Sequence, residues 1–299
     1  MEERFSHSPV LLKEVIGFLN PAPGDLIIDA TIGGAGHAEE ILRRIIPGGM
    51  LIGIDRDEES LRIASERLKP FEGSFKLVNK NFTHIEQILK DIGVRQADGI
   101  LFDLGISSIQ MEGWERGFSI KHNGPLDMRM DRNQRLTAKE LVNSLSEKEL
   151  ADLIRNFGEE RFYKRIARRI IEERKRKEIS TTFELAELIY TTIPYYNRSK
   201  SKIHPATRTF QAIRISVNDK IGSIDQALKE SPYALKKGAR LCVISFHSLE
   251  DRIVKSVFKA LAVKGNFNIL TKKPMMADRG ETLKNPRSRS AKLRVIERV

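Results

Sequence analysis

The sequence has little cysteine, little tryptophan and no long apolar run. Its single cysteine, Cys242, cannot build a disulfide framework or a cysteine-based zinc site, so both are excluded and a reducing, cytoplasmic location is expected. No apolar stretch approaches the roughly 20 residues that a membrane-spanning helix needs, so we expect no membrane partner. The first five residues, MEERF, are acidic and lack an apolar stretch, so we expect no secretory signal.

Positive charge is abundant instead, and it is unevenly distributed. Over 299 residues there are 52 Lys and Arg side chains and 40 Asp and Glu, a formal net charge of +12. Residues 1–106 have a net charge of −5, whereas residues 107–216 have +7 and residues 217–299 have +10. Solubility alone requires some surface charge, but two basic segments also fit a polyanionic partner, which is most often nucleic acid.

Strand and helix patterns alternate along the first hundred residues. Short apolar runs predict strands at 25–30, 50–54, 75–78 and 97–104. Helical spacing between them predicts helices at 37–46, 58–68 and 85–92. Later patterns predict strands at 238–246, 266–271 and 293–299, with a helix at 249–263. This alternation predicts an α/β fold in which a seven-stranded, largely parallel sheet carries helices on both faces.

The pattern changes between residues 107 and 210, where no strand is predicted. Three capping boxes, each a Ser or Thr followed three residues later by Glu, mark helix starts at Thr137, Ser146 and Thr181. The longest helix is predicted over 159–177, with loops at 113–136 and 194–205. We therefore predict a discontinuous α/β domain, 1–106 and 215–299, interrupted by an all-helical domain, 107–214, for substrate recognition. Two sequential domains are the alternative, although three late strands make a poor domain alone.

Candidate ligand residues follow the predicted strands. In an open parallel sheet, ligands bind at the carboxyl ends of the strands, near the reversal of strand order. Residues 29–37 (DATIGGAGH) form a turn from strand to helix, in which Gly34 and Gly36 let the backbone approach a ligand. Asp55 ends the second strand, where a carboxylate can accept both ribose hydroxyls of a nucleoside; a helix N-cap is its structural alternative.

Two further candidates follow the third and fourth strands. Phe82 could pack on an adenine ring, although a place in the core is equally compatible with an aromatic residue. Asp103 begins the polar cluster 103–108 (DLGISS), which is not expected in a core. The glycines at 33, 34 and 36 do not have the G-x-G-x-x-G spacing of dinucleotide-binding enzymes, which disfavours an NAD oxidoreductase. The late strand order suits a methyltransferase that uses S-adenosyl-L-methionine (SAM).

Eight motifs, in order along nearly the whole chain, carry a specific resemblance. They are residues 5–12 (FSHSPVLL), 29–37 (DATIGGAGH), 54–57 (IDRD), 103–108 (DLGISS), 125–131 (PLDMRMD), 204–215 (HPATRTFQAIRI), 245–252 (SFHSLEDR) and 285–290 (NPRSRS). With these motifs the chain resembles the ribosomal RNA small subunit methyltransferase H family.

The resemblance implies a Rossmann-like class I sheet of seven strands and an inserted all-helical domain. It also implies SAM-dependent methylation of N4 of a cytidine in the decoding region of 16S rRNA, within the 30S subunit or a late precursor. Ala35 stands where the family usually has glycine, which matters if this position has a positive φ angle. The family's cofactor contacts map onto Ala35, Gly36, His37, Asp55, Phe82, Asp103 and Gln110.

The chemistry suggests catalytic and RNA-binding candidates. The cytosine amine is a poor nucleophile because its lone pair is delocalised into the ring, so hydrogen-bond acceptors must orient it. Ser107 and Ser108 are candidates to receive the amine, with a helix N-cap role as the alternative. His247 is a candidate proton acceptor, with a structural or RNA-contacting role as the alternative. Candidate RNA contacts are Trp114, His204, Arg208, Arg214, Arg287, Arg289 and Lys292.

Two other functions stay open alongside this interpretation. A DNA amino methyltransferase is the first, but its usual Asp/Ser/Asn-Pro-Pro-aromatic motif after the fourth strand is replaced here by DLGISS. A non-catalytic RNA-binding factor in ribosome assembly is the second, and the intact glycine turn with Asp55 and Asp103 disfavours it. The sequence carries no metal-binding motif, so we predict no metal.

Overall fold

The computed structural model describes residues 9–299, apart from the side chain of Ser108. This part of the chain divides into two compact units, which we describe separately. The sheet unit consists of the residues up to Ser107 together with Ile221–Val299, and the helical unit is Ser108–Lys220. Across the described range, none of the helices combines the length and apolar character that crossing a membrane requires.

The sheet unit is built on a mixed sheet that contains, within residues 9–299, seven strands. They are β1 (Leu26–Asp29), β2 (Met50–Asp55), β3 (Phe75–Asn79), β4 (Ala97–Asp103), β5 (Leu235–Ser245), β6 (Phe267–Ile269) and β7 (Lys292–Arg298). Their order is β3-β2-β1-β4-β5-β7-β6. Strands β1 to β5 pair in parallel, and β7 runs antiparallel to β5 and β6. The predicted Rossmann-like sheet of seven strands is confirmed, and its strand order reverses between β1 and β4.

Alternation along the strands supplies an apolar core on each face of the sheet. In β1, Ile27 faces one core and Ile28 the other, as the two-residue period of a strand requires. Such strands read as continuous apolar runs because both faces are covered. One core receives α1 (Leu12–Leu19), α2 (Gly36–Ile45) and α3 (Glu58–Leu68). The other receives α4 (Ile85–Asp91), α12 (Lys220–Glu230) and α13 (Ser248–Val263).

The helical unit has its own apolar core, which includes Leu150, Ile154, Ile170, Ile189 and Phe210. Three of its helices begin at the predicted capping boxes, each with both reciprocal hydrogen bonds formed. Its helices are α5 (Ser108–Glu112), α6 (Ala138–Ser144), α7 (Glu147–Gly158), α8 (Tyr163–Arg174), α9 (Thr182–Thr192), α10 (Tyr195–Ser199) and α11 (Thr207–Val217). The remaining helix, α14 (Arg279–Lys284), belongs to the sheet unit.

The prediction of a helix over 159–177, the longest of the chain, was wrong both in the bounds of the helix and in its being the longest. Glu159 has a left-handed φ of 49° and ends α7, so α8 begins only at Tyr163 and has 12 residues. Within residues 9–299 the longest helix is α13, with 16 residues. The run of charged residues after α8 favours a helix by propensity, so its end was not visible in the sequence. The predicted loop at 194–205 contains the short helix α10.

Candidate functional site

Three parallel strands of the sheet unit end in aspartate, at the edge where the sheet predicts a ligand site. Asp29, Asp55 and Asp103 are the last residues of β1, β2 and β4. Strands β1 and β4 are the neighbours between which the strand order reverses. The crevice outside these carboxyl ends is the usual binding place in open α/β sheets.

The turn over residues 31–36, here called the glycine turn, leads from β1 into α2. Its backbone is fixed by Ile32 N–H donating to Ile54 O at 3.0 Å and Ala35 N–H donating to Ile32 O at 2.7 Å. Ala35 is fully buried and has a left-handed φ of 60°. This conformation costs a residue with a Cβ about 1 kcal/mol, which explains why glycine suits the position. Ala35 therefore keeps the turn's shape at a small cost in strain.

Gly34, in the same turn, has open space beside its backbone. A Cβ built on Gly34 would meet no atom of the described residues within 4 Å, and its φ is not left-handed. The fold itself therefore does not demand glycine here, whereas a ligand lying against the backbone would. Arg67 of α3 donates to Gly34 O at 3.1 Å and to Glu39 at 2.7 Å, which ties the turn to two helices. The sequence analysis missed Arg67, because nothing distinguishes it from the other arginines of the chain.

Asp55 holds the glycine turn and still presents acceptor capacity. One carboxylate oxygen accepts from Gly33 N–H at 3.1 Å and the other from Asp57 N–H at 3.0 Å. A carboxylate has about four acceptor sites, so each oxygen retains one for a ligand. The side chain is only partly exposed, and burial raises its pKa to about 6. Asp55 is thus ionised at neutral pH and placed as a ribose-binding carboxylate should be.

Thr31 joins β1 to β4, and the sequence analysis did not single it out. Its Oγ1 accepts from Asp103 N–H at 2.6 Å, while its own N–H donates to Asp29 at 3.2 Å. A hydroxyl two residues after a strand-ending aspartate is the signal that would have found it. The contacts hold Asp103 in place at the crevice and leave its carboxylate about a quarter exposed.

The carboxylates make this edge of the sheet electronegative. Burial, together with the charges of Asp103 and Asp55, raises the pKa of Asp29 to about 7. Arg56 and Arg67 supply some positive charge nearby, as their effects on the pKa values of Asp55 and His37 show. A cationic ligand gains from such a field, and SAM carries a sulfonium and an ammonium group. The pyrophosphate of NAD would be repelled.

Replacing Asp29 by asparagine should stabilise the protein selectively at higher pH. The folded-state pKa is about 7 against 3.8 for an unperturbed carboxyl, so the folded chain binds more protons between these values. This group therefore makes the free energy of unfolding fall as pH rises through that window. The asparagine side chain is uncharged and can still accept from Thr31. Thermal denaturation should show a Tm gain for Asp29→Asn at pH 8 that vanishes at pH 4; an equal difference at both pH values would contradict this account.

His37 is buried and neutral. Its Nε2 donates to Val10 O at 2.9 Å, and burial lowers the pKa of the imidazole. The unprotonated Nδ1 lies 3.8 Å from the Asp103 carboxylate, beyond hydrogen-bond distance. Two acceptors therefore lie side by side at the crevice, which suits a ligand with N–H donors.

Phe82 and Gln110 lie in different units. Phe82 is 9% exposed and packs edge-on against Phe102, with 5.5 Å between ring centres. Its main contacts are thus with the core under the crevice, and a contact with adenine stays a prediction. Gln110 is buried in α5 of the helical unit.

The catalytic candidates differ in what surrounds them. Ser107 lies beside the glycine turn, with its Cβ 3.9 Å from the position of a Cβ built on Gly33. The side chain of Ser108 is outside the described part of the structure. His247 is the N-cap of α13: its Nδ1 accepts from Glu250 N–H at 3.3 Å, and its Nε2 lies 3.0 Å from the buried Glu250 carboxylate. Both ring nitrogens face Glu250, so the geometry favours the structural alternative for His247.

The RNA-binding candidates divide by exposure. Trp114, His204, Arg208, Arg287 and Arg289 are exposed. By contrast, Arg214 is half-buried and donates to Phe118 O at 2.8 Å, and Lys292 pairs with Asp251 at 3.3 Å. These last two stabilise the interior of their own units, which leaves them less available to phosphates.

Comparison with known proteins identifies the family of this chain. The model of the MraW methylase family matches residues 4–299. Proteins named ribosomal RNA small subunit methyltransferase H are 48% identical in Geotalea daltonii, over 99% of both chains, and 46% identical in Persephonella marina, over 98% of this chain and 99% of the other.

A solved SAM-dependent O-methyltransferase of Thermotoga maritima aligns at 10% identity with a TM-score of 0.44, over 100% of this chain and 69% of the other. The strand order of the sheet supports the fold class, and the full-length match to the family model shows the family. The chain belongs to the MraW methylase family, and its cofactor is S-adenosyl-L-methionine.

Proposed function

We propose that this protein methylates N4 of a cytidine in the decoding region of 16S rRNA, within the 30S subunit or a late precursor. The observation that carries the proposal is the edge formed by Asp29, Asp55 and Asp103 around the open Gly34, in a family whose curated relatives are named for small-subunit rRNA. The exposed arginines and lysines of both units supply the charge that an RNA substrate requires.

The residues of the crevice have separate parts in this reaction. When bound, SAM supplies a methyl group on a cationic sulfur, so in-line positioning provides most of the acceleration. Asp55 holds the cofactor, with Gly34 leaving it room. We propose that Asp103 also contacts the cofactor, and that Ser107 and Ser108 receive the cytosine amine and orient its N–H groups. We propose a structural part for His247: as the N-cap of α13 it contacts Glu250 and so fixes the start of this helix.

The proposed target base must leave the RNA stack. A cytidine within folded RNA reaches a pocket only when it is unpaired or flipped out. We propose that the helical unit, residues 108–220, provides the contacts that hold the surrounding RNA, with Trp114 and Arg208 among them.

The experiment that tests this function uses 30S subunits from a strain without the methyl group. They are incubated with the protein and isotope-labelled SAM, and the nucleosides are read by mass spectrometry after digestion. Labelled N4-methylcytidine from the decoding region is expected. Label in duplex DNA but not in 30S subunits would instead establish a DNA amino methyltransferase, and SAM binding without any transfer would favour a non-catalytic assembly factor.

In the same assay, Ser107→Ala is expected to lower kcat about 10- to 100-fold, because a misoriented amine reacts slowly. The affinity for SAM, measured by calorimetry, should stay unchanged, since Asp55 and the glycine turn are intact. The matched control is Ser144→Ala, an exposed serine at the end of α6, which should leave both quantities alone. Wild-type kcat in Ser107→Ala would remove Ser107 from the site.

A further inference from the structure

A cluster of aromatic and basic side chains, four of them exposed and two half-buried, lies on the helical unit around the end of α9 and α10. We call it the tyrosine patch, and it consists of Tyr190, Tyr195, Tyr196, Arg198, Lys200 and His204. Tyr195 is 74% exposed and Tyr196 65% exposed. Leaving two neighbouring tyrosine rings in water forgoes the burial that normally stabilises aromatic residues, so folding alone does not explain them.

Arg198 organises one half of the patch. Its guanidinium lies 4.3 Å from the centre of the Tyr190 ring and 5.5 Å from that of Tyr195. The guanidinium also donates to Tyr190 O at 3.1 Å, which fixes its position at the end of α9. A cation over the face of a ring is held by the ring quadrupole. Tyr195 is therefore exposed but anchored.

In the other half of the patch, the rings of Tyr196 and His204 each contact another member of the patch. The Lys200 ammonium lies 4.0 Å from the centre of the Tyr196 ring. His204 stacks on Tyr190, with 5.9 Å between ring centres and 24° between the planes. Flat groups and positive charges thus alternate across a short surface, and the arrangement exists before any partner binds.

The charge around the patch is mostly positive. Residues 188–218 contain five Lys or Arg residues and no Asp or Glu, although the chain as a whole has 40 acidic residues. Glu187, one turn before Tyr190 on α9, is the nearby acid, and its charge raises the pKa of His204 against the lowering effect of burial. The patch therefore offers ring faces for stacking and a net positive charge for phosphates.

We propose that the tyrosine patch binds an unpaired segment of RNA by stacking bases on Tyr195 and Tyr196, with Lys200 against the phosphates. This deepens the proposed function, on which the choice of RNA rests. Single-stranded RNA is favoured because stacking platforms interleaved with cations are how proteins grip unpaired bases. A basic surface for anionic lipid would need apolar side chains that insert, and tyrosines fixed by cations over their rings are poorly suited to that.

The test is direct binding of a fluorescent single-stranded RNA of mixed sequence, ten nucleotides long, to the full chain. Tyr195→Ala and Tyr196→Ala should each weaken binding about tenfold, because each removes one base–aromatic stack. Tyr195→Phe keeps the ring and should bind as the wild type does. The matched control is Phe183→Ala, which removes a ring 46% exposed at the start of α9.

A salt titration separates stacking from charge. The variant Lys200→Ala should reduce the slope of log affinity against log salt by about 0.7 for the phosphate that is no longer neutralised, whereas the tyrosine variants should leave the slope unchanged. Circular dichroism and SAM affinity should match the wild type in all of them.

Two results would overturn the proposal. Wild-type RNA affinity in the Tyr195→Ala, Tyr196→Ala double variant would remove the patch from RNA binding. Loss of binding to phosphatidylglycerol vesicles, with RNA affinity intact, would assign the patch to a lipid surface. This experiment measures RNA binding and does not depend on methyl transfer. If the protein fails to methylate 30S subunits but still binds RNA through the patch, the proposed function is rejected and the patch proposal stands.

Discussion

Asp55→Asn is expected to weaken SAM binding about 10- to 100-fold, since hydrogen bonds to a charged group each contribute about 1.5–3 kcal/mol. Both carboxylate oxygens of Asp55 accept backbone N–H groups, from Gly33 and Asp57. An amide replaces one of these oxygens with a donor, so one N–H would face an NH₂ group whichever way the side chain turns. The glycine turn would shift at the point where we propose that the ligand binds.

Calorimetric titration with SAM at pH 7.5 and 5.5 checks this expectation. Burial raises the pKa of Asp55 to about 6, so the wild-type carboxylate is ionised at the higher pH and largely protonated at the lower. Wild-type affinity should therefore fall as pH is lowered, and Asp55→Asn should lose this part of the pH dependence. Glu58→Gln, an exposed acid in the first turn of α3, is the matched control. Equal affinities in wild type and Asp55→Asn would reject the ribose-binding assignment.

Gly124→Ala is expected to destabilise the helical unit by about 3 kcal/mol or more and to abolish RNA methylation, because a severe backbone clash is among the costliest single changes. A Cβ on Gly124 would lie 1.9 Å from Trp114 O, and backbone atoms cannot swing aside as a side chain can. Gly124 also exchanges hydrogen bonds with Thr182 at the start of α9, at 3.1 and 3.0 Å. To relieve the clash, either the backbone at Trp114 or the hydrogen-bonded contact between Gly124 and Thr182 must move.

Thermal denaturation and SAM titration together measure the effect. Most of the SAM affinity should be retained, since the carboxylates and the glycine turn belong to the sheet unit and Gln110 is the one predicted cofactor contact in the helical unit. The control is Gly17→Ala, inside α1, where a Cβ would meet no described atom within 4 Å. It should raise stability by about 0.5–1 kcal/mol, the usual gain from Gly to Ala within a helix. A Gly124→Ala protein with wild-type Tm and activity would contradict the clash.

The strands were predictable because apolar runs in a doubly covered sheet are continuous and bounded by turn residues. Runs such as those of β2 and β4 have no competing helical spacing, and each ends in a polar residue. Helix ends were less visible. Capping boxes located the starts at Thr137, Ser146 and Thr181, whereas the break at Glu159 depends on one left-handed residue that propensity does not reveal.

The site was only partly predictable, because the sequence shows which residues end a strand but does not show which side chains will be in contact. Strand ends identified Asp55 and Asp103 as crevice residues. The pairing of Lys292 with Asp251 joins residues 41 positions apart, and a basic residue in a basic segment gives no sign of it. The tyrosine patch was missed for a different reason: its signal, adjacent tyrosines in a segment without acids, lay inside a predicted loop.

The order in which the chain is made constrains how this sheet can form. Strand β4 emerges from the ribosome with apolar side chains and an edge of backbone N–H and C=O groups whose partner, β5, follows only after residues 104–234. At translation rates of about 5–20 residues per second, that edge waits on the order of ten seconds. The contiguous helical unit is synthesised entirely within this interval. The nascent first half must therefore be kept from pairing with other chains until β5 arrives.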